Sequence, residues 1–114
     1  MEIKICTQDE VTRIEITGKL DSITAPDAQE KIMPLIVPES RLVLDMCNVS
    51  YVSSAGLRVL LMVAKKTAQE EAKTVLSGLS EEILDIMEMT GFGNMFKNYK
   101  TYVEAIDNIL KDES

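Results

Sequence analysis

Few side chains in this sequence can do chemistry, and the absent ones decide as much as those present. The 114 residues include no histidine and no tryptophan. Without an imidazole there is no Ser-His-Asp triad, no Cys-His pair and no histidine zinc ligand, since each needs a group that titrates near neutral pH. A catalytic serine would lack its base. The two cysteines, Cys6 and Cys47, lie far apart and form no CxxC, so they read as buried free thiols, not as a redox or zinc pair. No GxxxxGK motif occurs and Gly91-Phe92-Gly93 is only a two-glycine turn, which leaves a nucleotide site unsupported. Asp45 closes an apolar run as a phosphate-accepting aspartate does, but the acidic pair such chemistry needs at the end of the first strand is missing. What remains is Ser53 and Ser54.

These serines lie between an apolar run beginning at Leu42 and a segment of helical periodicity, which puts them at a helix amino terminus. A serine there does one of two things. It caps the helix by accepting a backbone N–H, or it presents a free hydroxyl where exposed amides and the helix dipole favour a phosphate. Ala55 and Gly56 leave such a hydroxyl open to a bulky partner. On the residues alone both readings stand.

The elements that must position the serines follow from periodicity. Ile3 and Ile5, then Val11, Ile14 and Ile16, alternate with polar residues as a β-hairpin, and Gly18 is expected to break its second strand. Thr24-Ala25-Pro26-Asp27 offers a capping threonine, a first-turn proline and an acidic residue. The helix should carry Ala28, Ile32 and Leu35 or Ile36 inward and run to Pro38. Arg41 to Met46 reads as a strand covered on both faces, followed by a polar loop. Leu57, Leu60, Leu61, Ala64 and Ala68 then mark the buried stripe of a second helix. Lys73 to Ser77 is a strand, and Ser80 caps a third helix with Ile83, Ile86 or Met87, and Thr90 on its stripe. Asn94 to Tyr99 reads as a short edge strand, and Thr101 to Glu104 fits the capping box of a last helix through Leu110. Alternating strands and helices predict one α/β domain over residues 1–110, a mixed, mostly parallel sheet covered by about four helices, with 111–114 as a frayed tail.

Charge narrows the partners. Twelve basic against nineteen acidic residues give a net charge of -7, which argues against nucleic acid and anionic membranes. The amino terminus shows no secretion signal, and the run from Val59 to Ala64 is far short of the ~20 apolar residues of a membrane span, so the expected location is cytoplasmic with reduced thiols. No cofactor or metal is expected. The seven methionines read as core filling more readily than as an adaptable surface.

The stretch Tyr51-Val-Ser-Ser-Ala-Gly-Leu-Arg-Val-Leu-Leu61 resembles the signature loop and helix of the anti-sigma factor antagonists, the bacterial branch of the STAS domain family. Gly18-Lys-Leu-Asp-Ser22 with Pro26, Leu42-Val-Leu-Asp45, Thr90 to Phe96 and Tyr102 to Ala105 resemble other parts of that family's pattern, in the same order. The resemblance implies a binding switch, not an enzyme. The unmodified chain would bind an anti-sigma factor that is also a serine kinase and so free a sigma factor; phosphorylation of Ser54 would release it, and a cognate serine phosphatase would reset it. It also implies a partner-binding surface of Asp21, Ser22, Thr24, Tyr51, Ser53, Ala55, Gly56 and Arg58. Where the family commonly has aspartate before and serine after the acceptor, this chain has Ser53 and Ala55, which makes Ser53 a rival acceptor. The alternative is a STAS subunit that docks on a membrane transporter and is never phosphorylated.

Overall fold

The computed structural model describes residues 1–111. The elements are β1 (Glu2–Gln8), β2 (Val11–Leu20), α1 (Ala25–Ile32), β3 (Arg41–Val52), α2 (Ser54–Gln69), β4 (Lys73–Ser77), α3 (Glu81–Met89), β5 (Asn98–Tyr99) and α4 (Tyr102–Lys111). They form one five-stranded sheet in the order β1-β2-β3-β4-β5, with β1 antiparallel to β2 and all later pairs parallel. Parallel neighbours need crossovers, and right-handed crossovers that advance in one direction leave their helices on one face. Accordingly Ala28 and Ile32 of α1, Leu57, Leu60 and Val63 of α2, and Ile83 and Met87 of α3 share one core with Ile14, Leu44 and Leu76. Ala105 and Ile109 of α4 close the opposite face over Val11, Val43 and Val75.

Several local expectations change for physical reasons. Gly18 does not end β2: at φ +106° it takes up a bulge where the β2–β3 register shifts, and the strand runs on to Leu20. The polar segment after Met46 is no loop, because its backbone pairs with the far half of β2 and extends β3 to Val52. α1 ends at Ile32 and a 3-10 turn covers Met33–Leu35, since Pro34 has no N–H to continue the α-helical ladder. On α2 the buried face is Leu57, Val59, Leu60 and Val63, whereas Leu61 and Ala64 are half-buried and Ala68 is exposed. Thr90 is the exposed C-cap of α3 and not part of its stripe, and β5 keeps only Asn98–Tyr99 of the expected edge strand. Both cysteines are exposed: Cys6 lies on the edge strand β1, and Cys47 lies in β3 two positions after Asp45. Partial desolvation and then the Asp45 carboxylate hold the Cys47 thiol above its ordinary value. Lys111 closes α4; residues 112–114 of the expected tail lie outside the described residues.

Asp45 serves the fold. Its carboxylate is buried, accepts Nη2 of Arg13 at 2.7 Å and Nε at 3.2 Å through Oδ2, and takes the Cys47 amide at 3.2 Å through Oδ1. The Arg13 guanidinium in turn lies 4.1 Å from the Tyr102 ring centroid, tying α4 to β2 and β3. Desolvation works to raise the Asp45 carboxyl, but Arg13 and the Cys47 amide outweigh it and hold the group below its ordinary value. A depressed folded-state value contributes stability above the unfolded value, and the contribution is lost as pH falls through the folded one. We expect Arg13→Gln to cost about 2 kcal/mol at pH 7, less than the roughly 3–5 kcal/mol of a fully enclosed pair because Arg13 is a third exposed. Urea unfolding should show the gap between the two proteins closing as pH is lowered from about 5 toward 2. A constant gap would assign Arg13 a packing role alone.

Candidate functional site

The two serines do different jobs. Ser53 has the extended backbone of an N-cap (φ -90°, ψ 179°), its Oγ accepts the Gly56 amide at 3.3 Å, and its carbonyl accepts the Leu57 amide at 2.8 Å. Its own N–H donates to the Leu20 carbonyl at 2.9 Å, which fixes the start of α2 against the end of β2. Ser54 is the first helical residue and is exposed. Among the described residues its hydroxyl makes no hydrogen bond. Capping and presentation, which the sequence left as alternatives for either serine, are divided between neighbours.

Gly56 makes that placement possible. A Cβ built there would lie 2.4 Å from the Leu20 carbonyl oxygen and 3.0 Å from side-chain carbons of Leu20 and Val52. Only a bare Cα lets the first turn of α2 press so close to β2. Gly56 is buried, so its part is to seat the helix.

The turn after β2 is built from its own polar groups. Asp21 Oδ1 accepts the amides of Ile23 at 3.0 Å and Thr24 at 3.1 Å, and the Asp21 carbonyl accepts the Ala25 amide at 2.8 Å. The Thr24 amide, then that of Ile23, holds the Asp21 carboxyl below its ordinary value. Thr24 occupies the N-cap of α1, but its backbone is already helical and its hydroxyl turns back, accepting the Asp21 amide at 2.9 Å and donating to the Lys19 carbonyl at 2.8 Å. The expected threonine cap is therefore absent, and Asp21 organises the turn. Ser22 is exposed on it.

Around Ser54 the described residues form a largely apolar surface that also carries Arg58. Ser54, Leu57, Arg58, Leu61, Thr90 and Phe92 line a shallow hollow of about 260 Å³ between the start of α2 and the end of α3. Ile23 (85% exposed), Tyr51 (48%) and Met89 (85%) stand out on the adjoining segments. Ile23 and Phe92 were not singled out by sequence reasoning as site residues, and Met89, read with the other methionines as core filling more readily than as an adaptable surface, is exposed. Phe92 lies beyond the end of α3 at Met89, after the turn at Gly91, whose φ is +84°. No group of three or more His, Cys, Asp or Glu among the described residues is placed to hold a metal. No described helix is long and apolar enough to cross a membrane.

Comparison with known proteins adds a family. The sequence profile of the STAS domain matches residues 2–105. Over 106 residues the chain is 30% identical to the anti-sigma-B factor antagonist of Staphylococcus aureus, across 91% of this chain and 98% of that protein. A second match, to BtrV of Bordetella bronchiseptica, is 43% identical over 58 residues and takes in 51% of this chain and 50% of the relative, so it spans about half of that protein's length. Among solved structures, an anti-sigma-factor antagonist (STAS) domain protein from Planctomyces limnophilus has a TM-score of 0.86 over 95% of this chain and 97% of that one, a likeness of fold at 15% identity.

Proposed function

This chain belongs to the STAS domain family, and from that premise we propose that it is an anti-sigma factor antagonist controlled by phosphorylation of Ser54. The unmodified chain binds an anti-sigma factor and so frees a sigma factor. That anti-sigma factor is also the serine kinase, and a cognate serine phosphatase restores the binding form. The Ser54 Oγ attacks the γ-phosphorus of kinase-bound ATP, the bond to the β–γ bridging oxygen breaks, ADP leaves and the hydroxyl proton passes to a base on the kinase. This chain supplies the acceptor and no catalytic group. It works in the cytoplasm, without nucleic acid or membrane insertion.

One observation supports Ser54 over Ser53: the exposed hydroxyl of Ser54 is unengaged while that of Ser53 is spent on the Gly56 amide. It also accounts for the missing aspartate, because serine and aspartate cap a helix equally well. The partner surface then comprises Ser22 and the Asp21–Thr24 turn, Tyr51, Ala55 and Arg58, with Ile23 and Met89 added as apolar anchors and Ser53 and Gly56 fixing the geometry beneath. Incubation with the kinase and ATP should add one phosphoryl group, mapped to Ser54 by tandem mass spectrometry. Ser54→Ala should take up none. Ser53→Ala should still be labelled, while losing about 1 kcal/mol of stability with its cap. Labelling that survives Ser54→Ala and disappears in Ser53→Ala would move the role to Ser53.

A further inference from the structure

We propose that Arg58 is a phosphate-binding residue of this switch, engaging the phosphate on Ser54 from one helical turn away; the inference rests on the Ser54 assignment above. Ser54 and Arg58 stand at i and i+4 on α2, both exposed, and both line the same hollow. That spacing brings Cβ atoms to about 5–6 Å, well within the reach of an arginine. Direction favours the contact too. Helical side chains lean toward the amino terminus, so Arg58 is aimed at the turn that carries Ser54. Among the described residues it is the one charged residue lining the hollow, beside apolar Leu57, Leu61 and Phe92, and an arginine can lay its aliphatic stem along such a surface while its head stays open to polar partners.

The chemistry matches. A phosphoserine carries roughly -1.5 to -2 charges and three acceptor oxygens, and a guanidinium donates to two of them at once. Before phosphorylation Arg58 is available to the partner; afterwards it is held by the phosphate. Modification thus removes a cation from the contact surface as well as adding an anion, on a chain whose net charge is already -7. The switch has two components, and the second resides in Arg58.

The test uses the full chain with phosphoserine installed at position 54 during synthesis, so that it does not depend on which serine a kinase selects. An adjacent guanidinium stabilises the dianion, so the phosphate, whose second pKa is ordinarily about 6, should titrate lower when paired. Followed by phosphorus NMR, the phosphoserine should titrate about half a pH unit higher in Arg58→Gln than in the parent chain, with Arg58→Lys in between. Lys65→Gln, an exposed cation elsewhere on α2, should leave it unmoved. Identical titration in the parent and Arg58→Gln would overturn the proposal, as would an equal change in Lys65→Gln, which would show a general charge effect. Kinase labelling at another serine would instead sink the Ser54 reading and leave this titration interpretable.

Discussion

Phosphorylation of Ser54 should weaken binding to the anti-sigma factor at least a hundredfold, which calorimetric titration of the two forms would show directly. The magnitude follows from where the charge lands. The phosphate enters a surface of Ile23, Tyr51, Met89 and Phe92 around Arg58, and burying a dianion there carries a desolvation cost of several kcal/mol, of which about 2.7 kcal/mol already corresponds to a hundredfold. The fold should not absorb the change. Ser53 holds the cap, so modifying Ser54 breaks no capping bond, and a negative charge in the first turn is favoured by about 0.3–1 kcal/mol. The melting temperature should therefore move little, and amide NMR changes should stay within residues 21–25 and 51–58. Ser54→Asp should weaken binding less than phosphate does, because one carboxylate carries less charge and fewer acceptors. Shifts spread through β4 or α4 would point to a conformational mechanism and away from occlusion.

Gly56→Ala should be the most damaging single substitution at the site. The added methyl meets the Leu20 carbonyl oxygen at 2.4 Å, and that oxygen belongs to backbone already bonded to the Ser53 amide. Neither side can yield by a rotamer change. Relief requires α2 to lift from the end of β2, breaking the Ser53 contact and displacing Ser54 relative to the Asp21–Thr24 turn. We expect a loss of about 3 kcal/mol, at the upper end of the usual overpacking cost, together with a weaker partner contact even where the protein remains folded. Urea unfolding measures the first effect and titration with the anti-sigma factor the second. A variant with unchanged stability would mean that the close approach of α2 to β2 is dispensable.

The outline of the fold was legible wherever one physical signal dominated. Alternation in β1 and β2, the apolar block from Leu42 to Met46, and the serine cap of α3 each led to the element observed. Signals failed where two causes compete for one residue. Gly18 looked like a terminator because glycine weakens strands, yet the same freedom lets it absorb a bulge that only the neighbouring strand reveals. Cys47 to Val52 looked like a loop because their polarity reflects an exposed sheet end, while their backbone bonds depend on a distant partner. The pairing of Arg13 with Asp45 spans 32 positions and has no local mark. At the site, sequence reasoning pointed to Ser53 and Ser54, but not to which of them caps α2, since both are serines and the helix boundary that makes Ser53 the N-cap and leaves Ser54 exposed is set by the packing of α2 on β2. Ile23 gave no sign for a similar reason, and Met89 read as core filling: an exposed apolar residue means nothing until its neighbours are known.

The most direct measurement of the central claim is release of the sigma factor itself. A labelled sigma factor is bound to its anti-sigma factor, this chain is added, and free sigma factor is followed by fluorescence anisotropy. The unmodified chain should displace the sigma factor at stoichiometric concentration, the Ser54-phosphorylated chain should not, and phosphatase treatment should restore displacement. Equal displacement by the modified and unmodified chains, or none by either, would contradict the account.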